Sequence, residues 1–259
     1  MSRIQRRGFN WSPSPKLQRD FPNAYIGMVE TAENVAEKWQ ISRIDQEIFA
    51  LSSHNKANIA LNAGNFSDEI FPIKHDEGII SLDGCIRVKS SLESMAKLSP
   101  VLDNGTSVTA ATSSPLTDGA SFMLVCSEEF AFMNELTPIA RVVSGAVIGC
   151  SPDLMGIGPI DAIKLVLERA NWNVQDVDVF ELNEAFSSQS LAVIRELGID
   201  ISKVNIDGGA LAIGHPLGAS GVRITGKAAS IMKRTGKDRA IASMCIGGGM
   251  GIAIALEKY

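Results

Sequence analysis

Three short stretches of the sequence carry side chains that could perform acid–base or nucleophilic chemistry. They are Asn183–Phe186 (NEAF), Gly214–Pro216 (GHP) and Cys245–Gly247 (CIG). Each joins a predicted strand end to a turn or a helix, which is where catalytic groups tend to sit. A histidine and a thiol brought together at such a place indicate acid–base catalysis or the chemistry of a thiolate.

Each stretch also has a purely structural interpretation when it is taken alone. An Asn-Glu pair after a strand is a common way to cap a helix, and His215 could be a turn residue in water. Cys245 could be a small core side chain, since free cysteines are usually buried. However, glycines lie beside or close to both His215 and Cys245 and would let a ligand approach the backbone. The three stretches together therefore favour a reactive site.

The elements that must position these residues alternate between strand and helix from about residue 105. The predicted strands are 107–111, 121–126, 140–149, 177–182, 239–246 and 251–257, with a short extended piece at 204–206. The predicted helices are 128–136, 159–170, 184–197 and 222–236. This alternation, with apolar strands, predicts a layered α/β fold around a buried sheet. The last two strands are separated only by GGGM, which predicts an antiparallel hairpin.

Before residue 105 the sequence is rich in helix and loop signals, after an irregular arm over residues 1–24. Thr31 is expected to cap a first helix. Ser42, with Asp45 three residues later, is expected to cap a second helix that Gly64 ends. The second helix carries an apolar stripe at helical spacing, formed by Ile44, Ile48 and Leu51, with Ile59 further along the same face.

Composition narrows the possible classes of protein. The 259 residues are 45% hydrophobic and 20% charged, as in an ordinary globular protein, and the net charge of -5 argues against a nucleic-acid partner. The four cysteines (Cys85, Cys126, Cys150 and Cys245) have neither CxxC pairing nor histidines at zinc spacing, so we expect no metal site and no disulfide framework. The absence of an 18-residue apolar run and of a secretory signal predicts a protein without a membrane span, located in the cytoplasm.

The motifs NEAF, GGxxxxGHPxGxSG and CxGGGxG, in this order and spacing, resemble those of the thiolases. These enzymes make or break a carbon–carbon bond beside a coenzyme A thioester. The resemblance covers nearly the whole chain and implies the layered αβαβα thiolase fold, with an incomplete N-terminal half and a complete C-terminal half built on a mixed five-stranded sheet. It divides the chain into an arm and α-rich loop domain (1–104), a remnant of the N-terminal half (105–137) and the C-terminal domain (138–259).

The resemblance also implies roles for four residues. Cys245 would be the general acid/base that moves the proton on the acetyl carbon. His215 would deprotonate the nucleophilic cysteine and face the thioester oxygen, and Asn183 would hold a water that completes an oxyanion hole with it. The backbone N–H of Gly247 would donate to a second oxyanion hole. On this interpretation the glycines around His215 let the loop turn sharply and leave room for a thioester.

Coenzyme A contacts follow from the same resemblance. Arg87, Ser94 and Ser114 match the family's arginine and two serines, which are separated by seven and twenty residues. Arg87 would contact the nucleotide end, and the two serines the adenine-side and pantetheine parts. Met155 and Phe186 would line the pantetheine channel, although both also fit an ordinary core. Coenzyme A or acyl-CoA is expected as a substrate, and no permanently bound cofactor.

The family's nucleophile lies in a Cys-x-Ser-Gly segment that this sequence lacks. Cys85, Cys126 and Cys150 are not followed by such a segment. The resemblance therefore predicts the C-terminal part of a 3-ketoacyl-CoA thiolase, of the kind used in fatty acid β-oxidation, inactive without its nucleophile-bearing part. Either another chain supplies that part within a homo- or hetero-oligomer, or the coding sequence is broken and the product is inactive. The alternative from another class is a non-catalytic acyl-CoA-binding module.

Overall fold

Short helices and long loops make up most of the chain up to residue 137. The computed structural model describes residues 13–259. Its first helices are α1 (Pro15–Asp20), α2 (Met28–Lys38), α3 (Arg43–Asn62), α4 (Leu92–Ala96) and α5 (Glu128–Met133), and a small antiparallel ribbon consists of β1 (Ile73–His75) and β2 (Gly78–Ile80). This part of the fold forms one side of the site described below.

Of the two predicted helix caps, the one at Thr31 is wrong and the one at Ser42 is confirmed. Helix α2 begins before Thr31, because the Glu30 carboxylate accepts a hydrogen bond from the backbone N–H of Gly27 at 2.8 Å. Thr31 instead lies inside the helix and donates to the Met28 carbonyl. Ser42 caps α3 as predicted, since its hydroxyl accepts from the N–H of Asp45 at 3.2 Å.

Helix α3 buries a different face from the one that its apolar residues indicate. Ile44, Ile48 and Ile59 are 50%, 50% and 68% exposed, whereas the polar Ser53 and His54 are buried. The reason is hydrogen bonding: Ser53 donates to a buried carboxylate, and His54 accepts from the backbone of the 80s loop. The face of α3 that packs on the site therefore carries Ser53 and His54 together with Phe49, Ala50 and Ala57.

The predicted strands at 107–111 and 121–126 are wrong. Within the described residues neither segment belongs to a sheet, and Phe122 and Leu124 are 97% and 71% exposed. A strand needs a partner for its ladder of hydrogen bonds, and these apolar residues find none here. The segment around 107 is held differently, since the Glu33 carboxylate accepts from the backbone N–H groups of residues 106–108.

A four-stranded mixed sheet forms the centre of the C-terminal half. Its strands are β3 (Ala140–Gly149), β4 (Val179–Leu182), β5 (Arg239–Ile246) and β6 (Met250–Lys258), in the order β3-β6-β5-β4. β5 and β6 form the predicted antiparallel hairpin, and β4 runs parallel to β5. The predicted fifth strand is reduced to a single bridge between Val204 and Phe180 at the β4 edge.

Helices cover both faces of this sheet. They are α6 (Gly158–Ala170), α7 (Ser187–Leu197), α8 (Ala210–Ile213) and α9 (Ser220–Thr235). Alternating residues of β5 face opposite ways: Ile241 packs in a cluster with α6 and α7, whereas Ala240 and Ala242 pack with α9. Fully burying an aliphatic side chain of this size contributes roughly 1.5–3 kcal/mol, so the two clusters fix the sheet between its helices.

No helix among residues 13–259 is both long and apolar enough to cross a bilayer. Helix α3, with 20 residues, carries the charged side chains of Arg43, Asp45, Glu47 and Lys56.

Candidate active site

Asn183 and His215 meet at the carboxyl end of β4. Asn183 directly follows the strand, and its backbone N–H continues the ladder by donating to the carbonyl of Ser243 at 2.9 Å. Its side-chain Nδ2 lies 3.3 Å from Nε2 of His215. His215 sits on the turn after α8 and pairs through its backbone with Leu116. The structure thus brings together two of the three predicted side chains in direct contact.

The glycines before His215 are required by close packing as well as by the turn. Gly214 has φ +98°, and a Cβ there would lie 2.7 Å from the side chain of Thr117. At Gly209 a Cβ would lie 2.2 Å from the carboxyl carbon of Glu184. The expected sharp turn is present, but protein atoms rather than free space adjoin these glycines. Open space is found later in the loop, at Gly218, where a Cβ would meet no atom within 4 Å.

Glu184 anchors the site, although sequence reasoning assigned it no role. Its Oε1 accepts from Asn205 Nδ2 at 2.6 Å, and its Oε2 accepts from Ser53 Oγ at 2.7 Å and from the Leu211 N–H at 3.1 Å. Burial raises the pKa of this carboxyl, and the hydrogen bonds oppose that rise. Glu184 thereby ties the Asn183 loop to α3 and to the start of α8. A charged residue two positions after an apolar strand was the signal that could have revealed it.

His215 borders a cavity of about 240 Å³ and is present as the neutral imidazole at pH 7. The cavity is lined by Leu116, Thr117, Asp118, Gly119, His215, Pro216, Leu217 and Gly218. Burial lowers the pKa of His215 to about 4, and the Arg223 guanidinium lowers it further. A neutral imidazole beside an open cavity can accept a proton from a bound group.

Cys245 is buried on the same side of the sheet edge. It lies near the end of β5, paired with Gly251, and packs with Ala185, two residues after Asn183. Burial raises the pKa of its thiol to about 12, so the thiol keeps its proton at neutral pH. Gly247 lies in the turn between β5 and β6, beside the sulfur of Met28.

The five residues expected to contact coenzyme A fall into two groups. Arg87 and Ser94 line one open depression of about 410 Å³ on the surface. Ser114 does not line this depression; its N–H donates to the carbonyl of Ala185, in the loop that follows Asn183, at 3.0 Å. Met155 and Phe186 are buried in one cluster with Cys245. The predicted nucleotide-end and reaction-end contacts are thus spatially separate.

Family comparison agrees with the fold and the motifs. The family model described as "Thiolase, N-terminal domain" matches residues 14–129, and "Thiolase, C-terminal domain" matches residues 136–258. The chain belongs to the thiolase family.

Individual relatives share both sequence and fold. An acetyl-CoA acetyltransferase of Paracoccus denitrificans is 47% identical over 235 residues, covering 89% of this chain and 60% of the relative. The cytosolic acetyl-CoA acetyltransferase of Rattus norvegicus is 46% identical over 92% of this chain and 61% of its own length. Human mitochondrial 3-ketoacyl-CoA thiolase in complex with CoA superposes with a TM-score of 0.87 at 38% identity, over 98% of this chain and 67% of that one. The chain spans about three fifths of the length of these curated relatives.

Proposed function

We propose that the chain forms the C-terminal part of a 3-ketoacyl-CoA thiolase, an acetyl-CoA C-acyltransferase. The observation that carries this proposal is the 3.3 Å contact between Asn183 and His215 on the edge of the sheet that also holds Cys245. Relatives named acetyl-CoA acetyltransferase, and a relative structure that holds CoA, support it. The complete reaction converts a 3-ketoacyl-CoA and CoA into acetyl-CoA and a shortened acyl-CoA, or runs in the condensing direction.

Proton transfers define the proposed roles of His215 and Cys245. His215 takes the proton of a nucleophilic cysteine, whose thiolate adds to the 3-keto carbon. The bond between C2 and C3 then breaks, and the electron pair passes into the thioester enolate, whose oxygen His215 and a water on Asn183 stabilise. Cys245 gives its proton to C2, releasing acetyl-CoA, and its thiolate then takes the proton of the incoming CoA thiol. The CoA thiolate displaces the nucleophilic cysteine from the acyl group, which releases the shortened acyl-CoA, and the cysteine takes its proton back from His215. The N–H of Gly247 donates to the oxyanion at the acyl-enzyme, and such donors contribute roughly 3–4 kcal/mol each.

Substrate binding is the second part of the proposal. Coenzyme A would place its nucleotide end in the depression of Arg87 and Ser94, with its pantetheine reaching past Ser114 toward the cluster of Met155 and Phe186. The acyl-CoA is a substrate here, and the proposal requires no resident cofactor. The segment FNWSPSPKL favours the degradative enzymes, and its first four residues lie outside the described part of the chain.

The nucleophile would come from a thiolase part outside these 259 residues. The surface between residues 121 and 147 supports this, since it presents Phe122, Leu124, Phe132 and Val147 to solvent at 59–97% exposure. Large apolar side chains exposed to this extent are typical of an interface. An N-terminal thiolase part on another chain, in a homo- or hetero-oligomer, would cover it. We propose 1–104, 105–137 and 138–259 as the domains of this part, and the cytoplasm as its location.

The experiment measures thiolysis of a 3-ketoacyl-CoA together with CoA binding, for the chain alone and after addition of an N-terminal thiolase part. The proposal predicts CoA binding in both samples and turnover only in the second. Arg87→Ala should weaken binding, while Lys74→Ala, on the exposed ribbon, serves as the control. Binding without turnover in both samples would instead support the acyl-CoA-binding module.

A further inference from the structure

We propose that Ser220 is a positioning residue that holds His215 in the tautomer with its proton on Nδ1 and a bare Nε2. Nδ1 of His215 lies 2.6 Å from Oγ of Ser220, the first residue of α9. This inference concerns the imidazole itself and rests on the proposed function only for its catalytic consequence.

The hydroxyl of Ser220 has a single proton, and the structure gives that proton another acceptor. Oγ lies 3.0 Å from the carbonyl of Pro216, four residues earlier, which is the usual back-bond of a serine in a first helical turn. Because the proton points to that carbonyl, an oxygen lone pair faces the imidazole. Nδ1 must then be the donor. Ser220 is fully buried, so no solvent competes for either contact.

The contact on the other side of the ring agrees with this assignment. Nε2 faces Nδ2 of Asn183, an amide donor, at 3.3 Å. A bare Nε2 accepts that hydrogen bond, whereas a protonated Nε2 would oppose one donor to another. The two neighbours of His215, on different elements, therefore favour the same tautomer.

Two charged groups of opposite sign lie near the ring, which burial keeps neutral. Arg223 lies one turn after Ser220 on α9, and its guanidinium nitrogens are buried without a hydrogen-bond partner among the described residues. Asp118 lines the same cavity from the facing loop. Burial, and after it the nearby cation, make imidazolium unfavourable, which leaves a neutral ring whose tautomer Ser220 decides.

The catalytic consequence is that the basic nitrogen lies on the side of Asn183. When Nε2 takes a proton, Nδ1–H continues to donate to Ser220, so the Nδ1 side of the imidazolium needs no rearrangement. A wrong tautomer would place the proton where the base is needed, and such an error lowers turnover severely in other enzymes with a histidine base.

The test is ¹⁵N NMR of the full chain with labelled histidine, which distinguishes protonated from bare ring nitrogens. The three histidines are His54, His75 and His215, and His215→Asn identifies the signal. At pH 7.5 the expected result is a protonated Nδ1 and a bare Nε2. A predominantly protonated Nε2 in the unaltered protein would overturn the proposal, whatever the variants do.

Matched variants then test Ser220 itself. Ser220→Ala should give a mixture of tautomers, and Ser220→Thr should keep the original one. Thr225→Ala is the control, since Thr225 makes the same type of back-bond on α9, to Gly221, and should leave the spectrum of His215 unchanged. An unchanged spectrum in Ser220→Ala, or an equal change in Thr225→Ala, would contradict the assignment.

Activity of the assembled enzyme separates this inference from the proposed function. Ser220→Ala should lower kcat at least tenfold with little change in KM. If the assembled protein has no thiolysis activity but the NMR result holds, the proposed function fails and the positioning role stands. If thiolysis is present and Ser220→Ala retains full kcat, the positioning role is wrong.

Discussion

Asn183 and His215 are 32 residues apart in the sequence, yet Nδ2 of the asparagine lies 3.3 Å from Nε2 of the histidine. The contact spans the end of a strand and a glycine-rich turn, and Glu184 holds the two together through hydrogen bonds to α3 and α8. The site therefore depends on a buried carboxylate as much as on the residues expected to react.

His215→Ala should abolish formation of the acyl-enzyme in the assembled protein. The nucleophilic thiol then keeps its proton, and loss of a general base of this kind lowers rates by roughly 10²–10⁴-fold. Single-turnover measurement of acyl-enzyme checks this prediction. His75→Ala, on the exposed ribbon, should have no effect, and an acylation rate within a factor of three of the unaltered protein would exclude His215 as the base.

Cys245→Ala should spare acylation and stop exchange of the carbon–carbon bond. The reason is that Cys245 is proposed to move only the proton on the acetyl carbon. Quenched-flow detection of acyl-enzyme, in parallel with steady-state thiolysis, separates the two steps. Near-full thiolysis in this variant would show that its assigned role is wrong.

Alkylation should distinguish the cysteines of the chain alone. Cys126 is exposed, whereas Cys245 is buried with its pKa raised to about 12, so it has almost no thiolate at pH 8. We expect iodoacetamide to modify Cys126 first and to leave Cys245 largely unmodified until the protein unfolds. Peptide mass spectrometry over time measures this order. Equal rates at the two positions would contradict the buried, protonated state of Cys245.

Glu181→Gln should remove a pH dependence from stability. Burial raises the pKa of Glu181 from its ordinary 4.5 to about 8, against the opposing charges of Arg223 and Lys227. Between these values the folded chain binds a proton that the unfolded chain has lost, so the free energy of unfolding falls as pH rises from about 4.5 to 8. The loss is about 2–4 kcal/mol, and the glutamine variant should lack it.

Urea unfolding at pH 5, 6.5 and 8 measures that difference between Glu181→Gln and the unaltered protein. Glu77→Gln, on the exposed turn of the ribbon, is the control and should follow the unaltered protein. Parallel pH curves for Glu181→Gln and the unaltered protein would mean that Glu181 ionises normally in the folded state.

Gly209→Ala should destabilise the fold by about 1–3 kcal/mol, because its Cβ would lie 2.2 Å from the carboxyl carbon of Glu184. Gly218→Ala is a matched control in the same loop, where a Cβ would meet no atom within 4 Å. Thermal unfolding of both variants measures the contrast. Equal melting temperatures would contradict the close packing of Glu184 against the loop.

Sequence patterns correctly predicted the apolar segments that have a partner strand in the folded sheet. The bounds of β3 and β5 match their predicted ranges to the residue, since each is a long, largely apolar run that pairs with β6 in the sheet. The 121–126 segment is also largely apolar, but it has no neighbouring strand to pair with and does not form a strand. Strand propensity is thus insufficient where the ladder partner is missing.

The sequence does not predict which polar side chains are buried when the residue that they contact lies far along the chain. The buried face of α3 includes the polar Ser53, whose hydroxyl donates to Glu184, 131 residues further along. The same applies to Ser220, whose role appears only when Nδ1 of His215 is found 2.6 Å away. Motifs indicated which residues react, but the contacts that orient them depend on the folded arrangement of α3, α8 and α9.

The central claim is that Asn183, His215 and Cys245 surround one thioester. A crystal structure of the chain with its N-terminal thiolase part and bound acetyl-CoA tests it most directly. We expect the thioester oxygen about 3 Å from Nε2 of His215 once that nitrogen holds the proton of the nucleophile, with the acetyl methyl group beside Sγ of Cys245. A thioester bound away from these side chains, with the CoA nucleotide outside the depression of Arg87 and Ser94, would contradict it.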